Sequence, residues 1–214
     1  MDKPGNFPIA PEGFPFIIAG VVITAISAWF CFYLPTAFAL LLTIFVVFFF
    51  RNPARIIPPG ENNIVAPADG VVIYLGDAVE PHLGVEMTKI SIFMSVFNVH
   101  VNRAPLTGKV LDSFYISGKF LDVRHERATF ENEQSGLVIE TPGGLKMVVI
   151  QVAGLIARRI VCYAGKGDNL ERGKRYGLIR FGSRLDVYLP KDTAISVRMG
   201  QKTVAGETVL GILG

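Results

Sequence analysis

Three side chains in this chain of 214 residues could together move a proton and attack a carbonyl: Ser183, His100 and Asp69. In such a set an imidazole takes the hydroxyl proton, the oxygen attacks, and a carboxylate orients the imidazole. Such triads occur in several chain orders, so the order Asp–His–Ser is no obstacle. Each residue also has a plainer reading. Asp69 lies in Pro67-Ala68-Asp69-Gly70, and Asp-Gly is a common turn. Ser183 lies in Arg180-Phe181-Gly182-Ser183-Arg184, where a Gly-Ser pair says little alone. His100 closes an apolar run, Phe97-Asn98-Val99-His100-Val101-Asn102-Arg103-Ala104-Pro105, in which strand alternation puts Asn98, His100 and Asn102 on one face. A structural histidine fits that pattern equally well. His82 and His125 fall in a loop signal and a charged stretch and are read as solvated surface groups.

The elements that must position these groups read mostly as strands. Val71 to Leu75 follows the Asp69-Gly70 turn, and Ile90 to Val101 is β-rich. Leu137 to Ile139 and Met147 to Val152 flank Thr141-Pro142-Gly143-Gly144, a hairpin signal. Ile160 to Tyr163, Leu185 to Leu189 and Ala194 to Met199 complete the set. Short strands with glycine turns predict a mainly β domain, sandwich-like or barrel-like. Helical patterning is weak, with one candidate over Asp122 to Gln134.

The first fifty residues differ. From Gly13 to Phe50 no residue is charged, and the mean hydropathy of the whole chain is +0.43. Phe16 to Leu34 nearly suffices to cross a ~30 Å hydrocarbon core, while Thr36 to Phe50 is short for a span. Pro35 is placed at the turn between them, because proline breaks a helical ladder. The reading is an α-helical hairpin, residues 1–50, that crosses or deeply enters one bilayer. A pair of buried core helices is the alternative. A cleaved signal peptide is not expected, because a basic start and a small-residue cleavage site are both missing. Arg51 and Arg55 then place residues 51–214 on the cytoplasmic face of the cell membrane.

The net charge is +3. That is too mild to argue for nucleic acid, and it suits work beside an anionic lipid surface. Arg158, Arg159, Lys166, Arg172, Lys174, Arg175, Arg180 and Arg184 form a basic cluster in sequence; guanidinium suits phosphate, and Arg158, Arg180 and Arg184 are the candidates for it. Cys31 and Cys162 have neither disulfide-scaffold nor metal-site spacing, so no metal is expected.

Ala66-Pro67-Ala68-Asp69-Gly70, Phe97 to Pro105, Ile150 to Val161 and Gly177 to Val187 together resemble the phosphatidylserine decarboxylase family, in its short form that includes archaetidylserine-type enzymes. The resemblance runs from about Arg51 to the C-terminus. It implies a proenzyme that cuts itself between Gly182 and Ser183, giving a β chain 1–182 and an α chain 183–214. It implies that Ser183 becomes a pyruvoyl group, the only cofactor, which takes up the amine of the serine headgroup. It implies that Asp69 and His100 activate Ser183 for processing. The partners it implies are an anionic phospholipid, the membrane, and the two cleaved chains as a heterodimer or higher oligomer. Longer family members carry another histidine three residues before the triad histidine; here that position is Phe97. Two other readings stay open: a membrane-tethered serine hydrolase that keeps its chain intact, and a non-enzymatic β module that binds a partner.

Overall fold

The computed structural model describes residues 7–125, 127–155, 159–180 and 183–214. The chain divides into two units, Met1–Ala54 and Arg55–Gly214.

In the first unit, helices α1 (Phe14–Trp29) and α2 (Tyr33–Phe49) pack against each other. Gly20 permits the approach: a Cβ there would meet Thr43 Oγ1 at 2.4 Å. The other faces stay uncovered, with Ile18, Ile23, Leu41 and Ile44 all more than half exposed. Residues Pro11–Trp29 are long and apolar enough to cross a membrane; α2 is shorter. The turn is Phe30-Cys31-Phe32, with Cys31 at φ 56. The turn expected at Pro35 is thereby corrected: Pro35 lies in the first turn of α2, where its missing N–H leaves no helical bond unmade.

The second unit is β. Its strands are β1 (Asn63–Val65), β2 (Gly70–Glu80), β3 (Val85–Met94), β4 (Val101–Arg103), β5 (Gly108–Ile116), β6 (Gln134–Glu140), β7 (Lys146–Ala153), β8 (Arg159–Cys162), β9 (Asn169–Leu170), β10 (Arg175–Arg180), β11 (Ser183–Leu189), β12 (Ala194–Ile195), β13 (Lys202–Thr203) and β14 (Val209–Ile212). A curled sheet of eight strands has the order β13-β2-β3-β11-β7-β6-β5-β9, and two sheets of three have the orders β1-β14-β12 and β4-β10-β8. Alternation explains the layering. Ile90, Ile92 and Met94 of β3 and Leu185, Val187 and Leu189 of β11 point to one face, into a core shared with Ile64, Tyr176 and Leu210 of the smaller sheets. The opposite face of the large sheet buries Val148, Ile150, Val152 and Tyr188 in a second cluster with Val123. This is the expected mainly β, sandwich- or barrel-like architecture, its large sheet curled into a half-barrel, with an N-terminal helix pair.

Three local expectations are corrected. The apolar run from Ile90 does not stay extended to Val101: β3 ends at Met94, and a turn leads into β4. Asn98 closes that turn, its Oδ1 accepting from Ser95 N at 2.9 Å and Ser95 Oγ at 2.8 Å, so local side-chain bonding overrides the β propensity. The helix expected over Asp122 to Gln134 shrinks to α3 (Ala128–Glu131). The strand from Ala194 stops at Ile195.

Candidate functional site

Ser183 opens β11, the strand at the middle of the large sheet. It pairs with Met94 of β3 on one side and with Ala153 of β7 on the other. The preceding strand, β10, belongs to a different sheet, between β4 and β8. β10 and β11 thus follow one another in the chain but lie in different sheets. Gly182, the expected cleavage partner, and Arg158 lie outside the described residues.

The Ser183 side chain points into the core and is completely buried. Its hydroxyl lies 3.7 Å from Met94 Sδ, a long contact to a weak acceptor. Asn102 Nδ2 approaches the same sulfur at 3.7 Å, and Asn102 Oδ1 accepts from Gln151 Nε2 at 2.8 Å. Met94, Asn102 and Gln151 thus form a buried polar chain from β4 and β7 to the serine.

His100 directly precedes β4 and is 1% exposed. Its Nδ1 lies 3.0 Å from the Asn98 carbonyl, which can only accept. The proton is therefore on Nδ1, and in the neutral ring Nε2 is the acceptor nitrogen, the form a general base requires. Ile179 N donates to His100 O at 3.4 Å, tying His100 to the strand that leads to Ser183.

Asp69 lies in the loop before β2. Arg55 NH2 reaches both carboxylate oxygens at 2.9 Å, and Ala205 N donates to Oδ1 at 2.8 Å. These bonds orient Asp69 without the His100 ring. Gly70 follows because a Cβ there would meet the Phe93 carbonyl at 2.2 Å. The surroundings are cationic: burial first, then Arg55, lowers the Arg103 pKa below its ordinary value, with Asp69 acting the other way. The structure thus brings Asn102 and Ser183 together at Met94; His100 stands two residues before Asn102, with its ring bonded to the Asn98 carbonyl. Asp69 is joined to β4 through the backbone, where Arg103 N donates to Pro67 O at 2.9 Å.

Arg184 points to the other face of the sheet. It donates to Val123 O and Thr129 Oγ1, each at 2.7 Å, and to Asp186 Oδ2 at 2.9 Å. Lys89 Nζ reaches Asp186 at 3.1 Å. This cluster floors a cavity of about 570 Å³ that Tyr74, Ser91 and Phe130 also line. Burial would raise the Asp186 pKa, but the charges of Arg184 and Lys89 outweigh it and hold the carboxyl below its ordinary 3.8. Its stabilising contribution is complete above about pH 4 and is lost as pH falls through the lowered value. Asp186→Ala leaves Lys89 and Arg184 as buried cations without their carboxylate. Thermal unfolding in detergent is expected to show a loss of about 3–5 kcal/mol.

The basic cluster read from the sequence is dispersed. Arg172 is bound to the carbonyls of Pro58, Gly60 and Asn63, and Arg175 to the Tyr163 hydroxyl. Arg180 ends β10. Sequence reasoning missed Met94 and Arg55 as neighbours of the site, and neither carries a local signal. Gln151 does carry one: a single amide inside the apolar run Met147 to Val152 marks a buried polar contact.

The chain matches the family model described as phosphatidylserine decarboxylase over residues 42–211. It is 70% identical to the phosphatidylserine decarboxylase proenzyme of Geobacter metallireducens over 213 residues, covering 97% of this chain and 98% of that protein. The proenzyme of the same name from Geobacter sulfurreducens is 70% identical with the same coverage. That of Geotalea uraniireducens is 68% identical over 208 residues, 97% of this chain and 98% of that protein.

Proposed function

The chain belongs to the phosphatidylserine decarboxylase family, and from that premise we propose that it is a self-processing, pyruvoyl-dependent enzyme. It converts phosphatidylserine to phosphatidylethanolamine and carbon dioxide in phospholipid biosynthesis. One observation carries the reading: Ser183 is the buried first residue of a strand held from both sides, at the point where the chain passes between sheets.

The processing chemistry follows from that placement. His100 Nε2 takes the proton of Ser183, and Oγ attacks the carbonyl carbon of Gly182. The peptide bond breaks as the ester forms, and the nitrogen of residue 183 takes up a proton. Loss of the Cα proton expels residues 1–182 as a carboxylate and leaves dehydroalanine at position 183. Tautomerisation and addition of water release ammonia and leave a ketone. The site suits such a group, because cutting before Ser183 does not free the strand: β11 keeps seven register positions with β3 and six with β7. The product chain, residues 183–214, also stays woven in through β13 against β2 and β14 against β1. The two cleaved chains therefore stay together as a heterodimer.

A pyruvoyl group supplies a ketone that takes up the substrate amine and an adjacent carbonyl that withdraws electrons as the carboxylate leaves. The chain's own part is to hold that position fixed, dry and hydrogen-bonded. Asn102 and Gln151 provide the polar wall, and His100 is the group in this neighbourhood able to move protons. Arg180, two residues before the cleavage bond, keeps the proposed role at the lipid phosphate, with Arg158. Arg184 is turned away from Ser183 and committed to Asp186, which supports a structural role for it instead. The apolar helix anchors the enzyme, and Arg51 and Arg55 favour a cytoplasmic site.

The test is release of labelled carbon dioxide from phosphatidylserine labelled at the serine carboxyl, with recovery of the ethanolamine lipid. Purified, cleaved enzyme is expected to produce both in equal amounts. Cleaved enzyme that produces neither overturns the substrate assignment.

A further inference from the structure

The register of the large sheet puts one set of loops at one end. Gly70 and Val71 of β2 lie beside Thr203 and Phe93; Met94 of β3 beside Ser183; Ser183 beside Ala153; Val152 beside Gln134; and Gln134 beside Ile116 of β5. The loop into β2, the turn after β3, the segment after β7 and the β5–β6 connection therefore all leave from the end where Ser183 sits. These loops expose large apolar side chains. Phe97 is 67% exposed and Leu155 72%. Ile116 and Phe120 are 47% and 37% exposed.

The opposite end is built otherwise. There Lys191 bridges Asp77 and Glu86, and Lys109 and Lys146 are exposed. Val79 and Val85 of the β2–β3 hairpin are exposed there too, and Leu145 of the β6–β7 turn is 37% exposed. Apolar side chains on several separate loops, gathered at one end of a sheet, mark an interaction surface rather than scattered exposure.

We propose that this rim, formed by Phe97, Leu155, Ile116 and Phe120, seats the catalytic domain on the lipid bilayer, with the Ser183 end of the sheet toward the headgroups. This rests on the assignment of a phosphatidylserine substrate above. A diacyl lipid does not readily leave the bilayer, because each buried CH₂ is worth about 0.8 kcal/mol. A buried Ser183 must therefore meet the headgroup at the membrane surface, and the end of the sheet it occupies is the end that must face that surface. The apolar helix tethers the chain; the rim fixes which way the domain points. Phe97 stands three residues from His100, so the turn that orients the base also touches the lipid.

The test uses the full chain in vesicles. Trp29 is the one tryptophan, so a Trp29→Phe background gives a silent protein. Into it Phe97→Trp is placed as the reporter, and Val85→Trp as the control at the opposite end. Vesicles of phosphatidylcholine brominated along the acyl chains are expected to quench the reporter by more than half and leave the control unchanged. A reporter quenched no more than the control overturns the proposal. A second measurement compares Leu155→Ser/Phe120→Ser with the parent on two substrates, vesicle-embedded and monomeric short-chain phosphatidylserine. The expected result is at least a fivefold loss on vesicles with less than a twofold change on the monomer. Equal change on both substrates also overturns it. If the parent decarboxylates neither lipid while the reporter is quenched, the substrate assignment fails and the docking surface stands.

Discussion

Ser183→Ala is expected to remain a single chain of 214 residues under conditions in which the parent is fully cut. Intact-mass spectrometry of the parent should give fragments of residues 1–182 and 183–214, the smaller one blocked to amine-terminal sequencing. The effect is all-or-none, because the hydroxyl is at once the nucleophile and the source of the ketone. Alanine offers no atom for either role. Among the described residues the buried hydroxyl makes only the long approach to Met94 Sδ, so the substitution removes no strong bond there and the fold should survive. Decarboxylation should be lost with cleavage. A parent that stays intact and active would instead move the serine hydrolase reading to first place.

The second large effect is at His100. His100→Ala is expected to slow self-cleavage by about 10²–10⁴-fold, the usual contribution of a positioned general base. It should appear as precursor accumulating over hours in a time course by gel or mass. The Asn98 carbonyl holds the ring by Nδ1, so the imidazole is oriented whether or not a carboxylate joins it. Asp69→Asn is therefore expected to slow cleavage less than His100→Ala, since Asp69 is bonded to Arg55 and Ala205 N. An equal loss in both variants would mean that Asp69 leaves Arg55 and meets the ring during the reaction. In that case Arg55→Ala should accelerate cleavage, and the time course would show it.

Much of this was written locally in the chain. The uncharged run from Gly13 to Phe50 favours apolar helices, because a helix satisfies its own backbone hydrogen bonds in apolar surroundings. The alternating pattern of Leu185 to Leu189 dictates a strand, and Thr141-Pro142-Gly143-Gly144 dictates the turn between β6 and β7. The motif around Gly182-Ser183 marked Ser183 as the candidate through its resemblance to a family, because a Gly-Ser pair has no physical signature of its own. Local pattern misled where a side chain or a ring competed with the backbone: Asn98 ended β3 early, and Pro35 entered α2 instead of breaking it.

Only the tertiary structure decided who faces whom. Ser183 and Arg184 are neighbours in sequence, yet the pleat sends one to Met94 and the other to Asp186 on opposite faces of the sheet. A face can be assigned only when the strands on either side are known. Arg55 and Asp69 are fourteen residues apart and meet because a loop folds back; Asp69 and Ala205 N meet across 136 residues. The gathering of Phe97, Ile116, Phe120 and Leu155 at one end of the sheet has the same origin. Chain composition determines that apolar residues exist, while strand order and register determine that they share an edge with the serine.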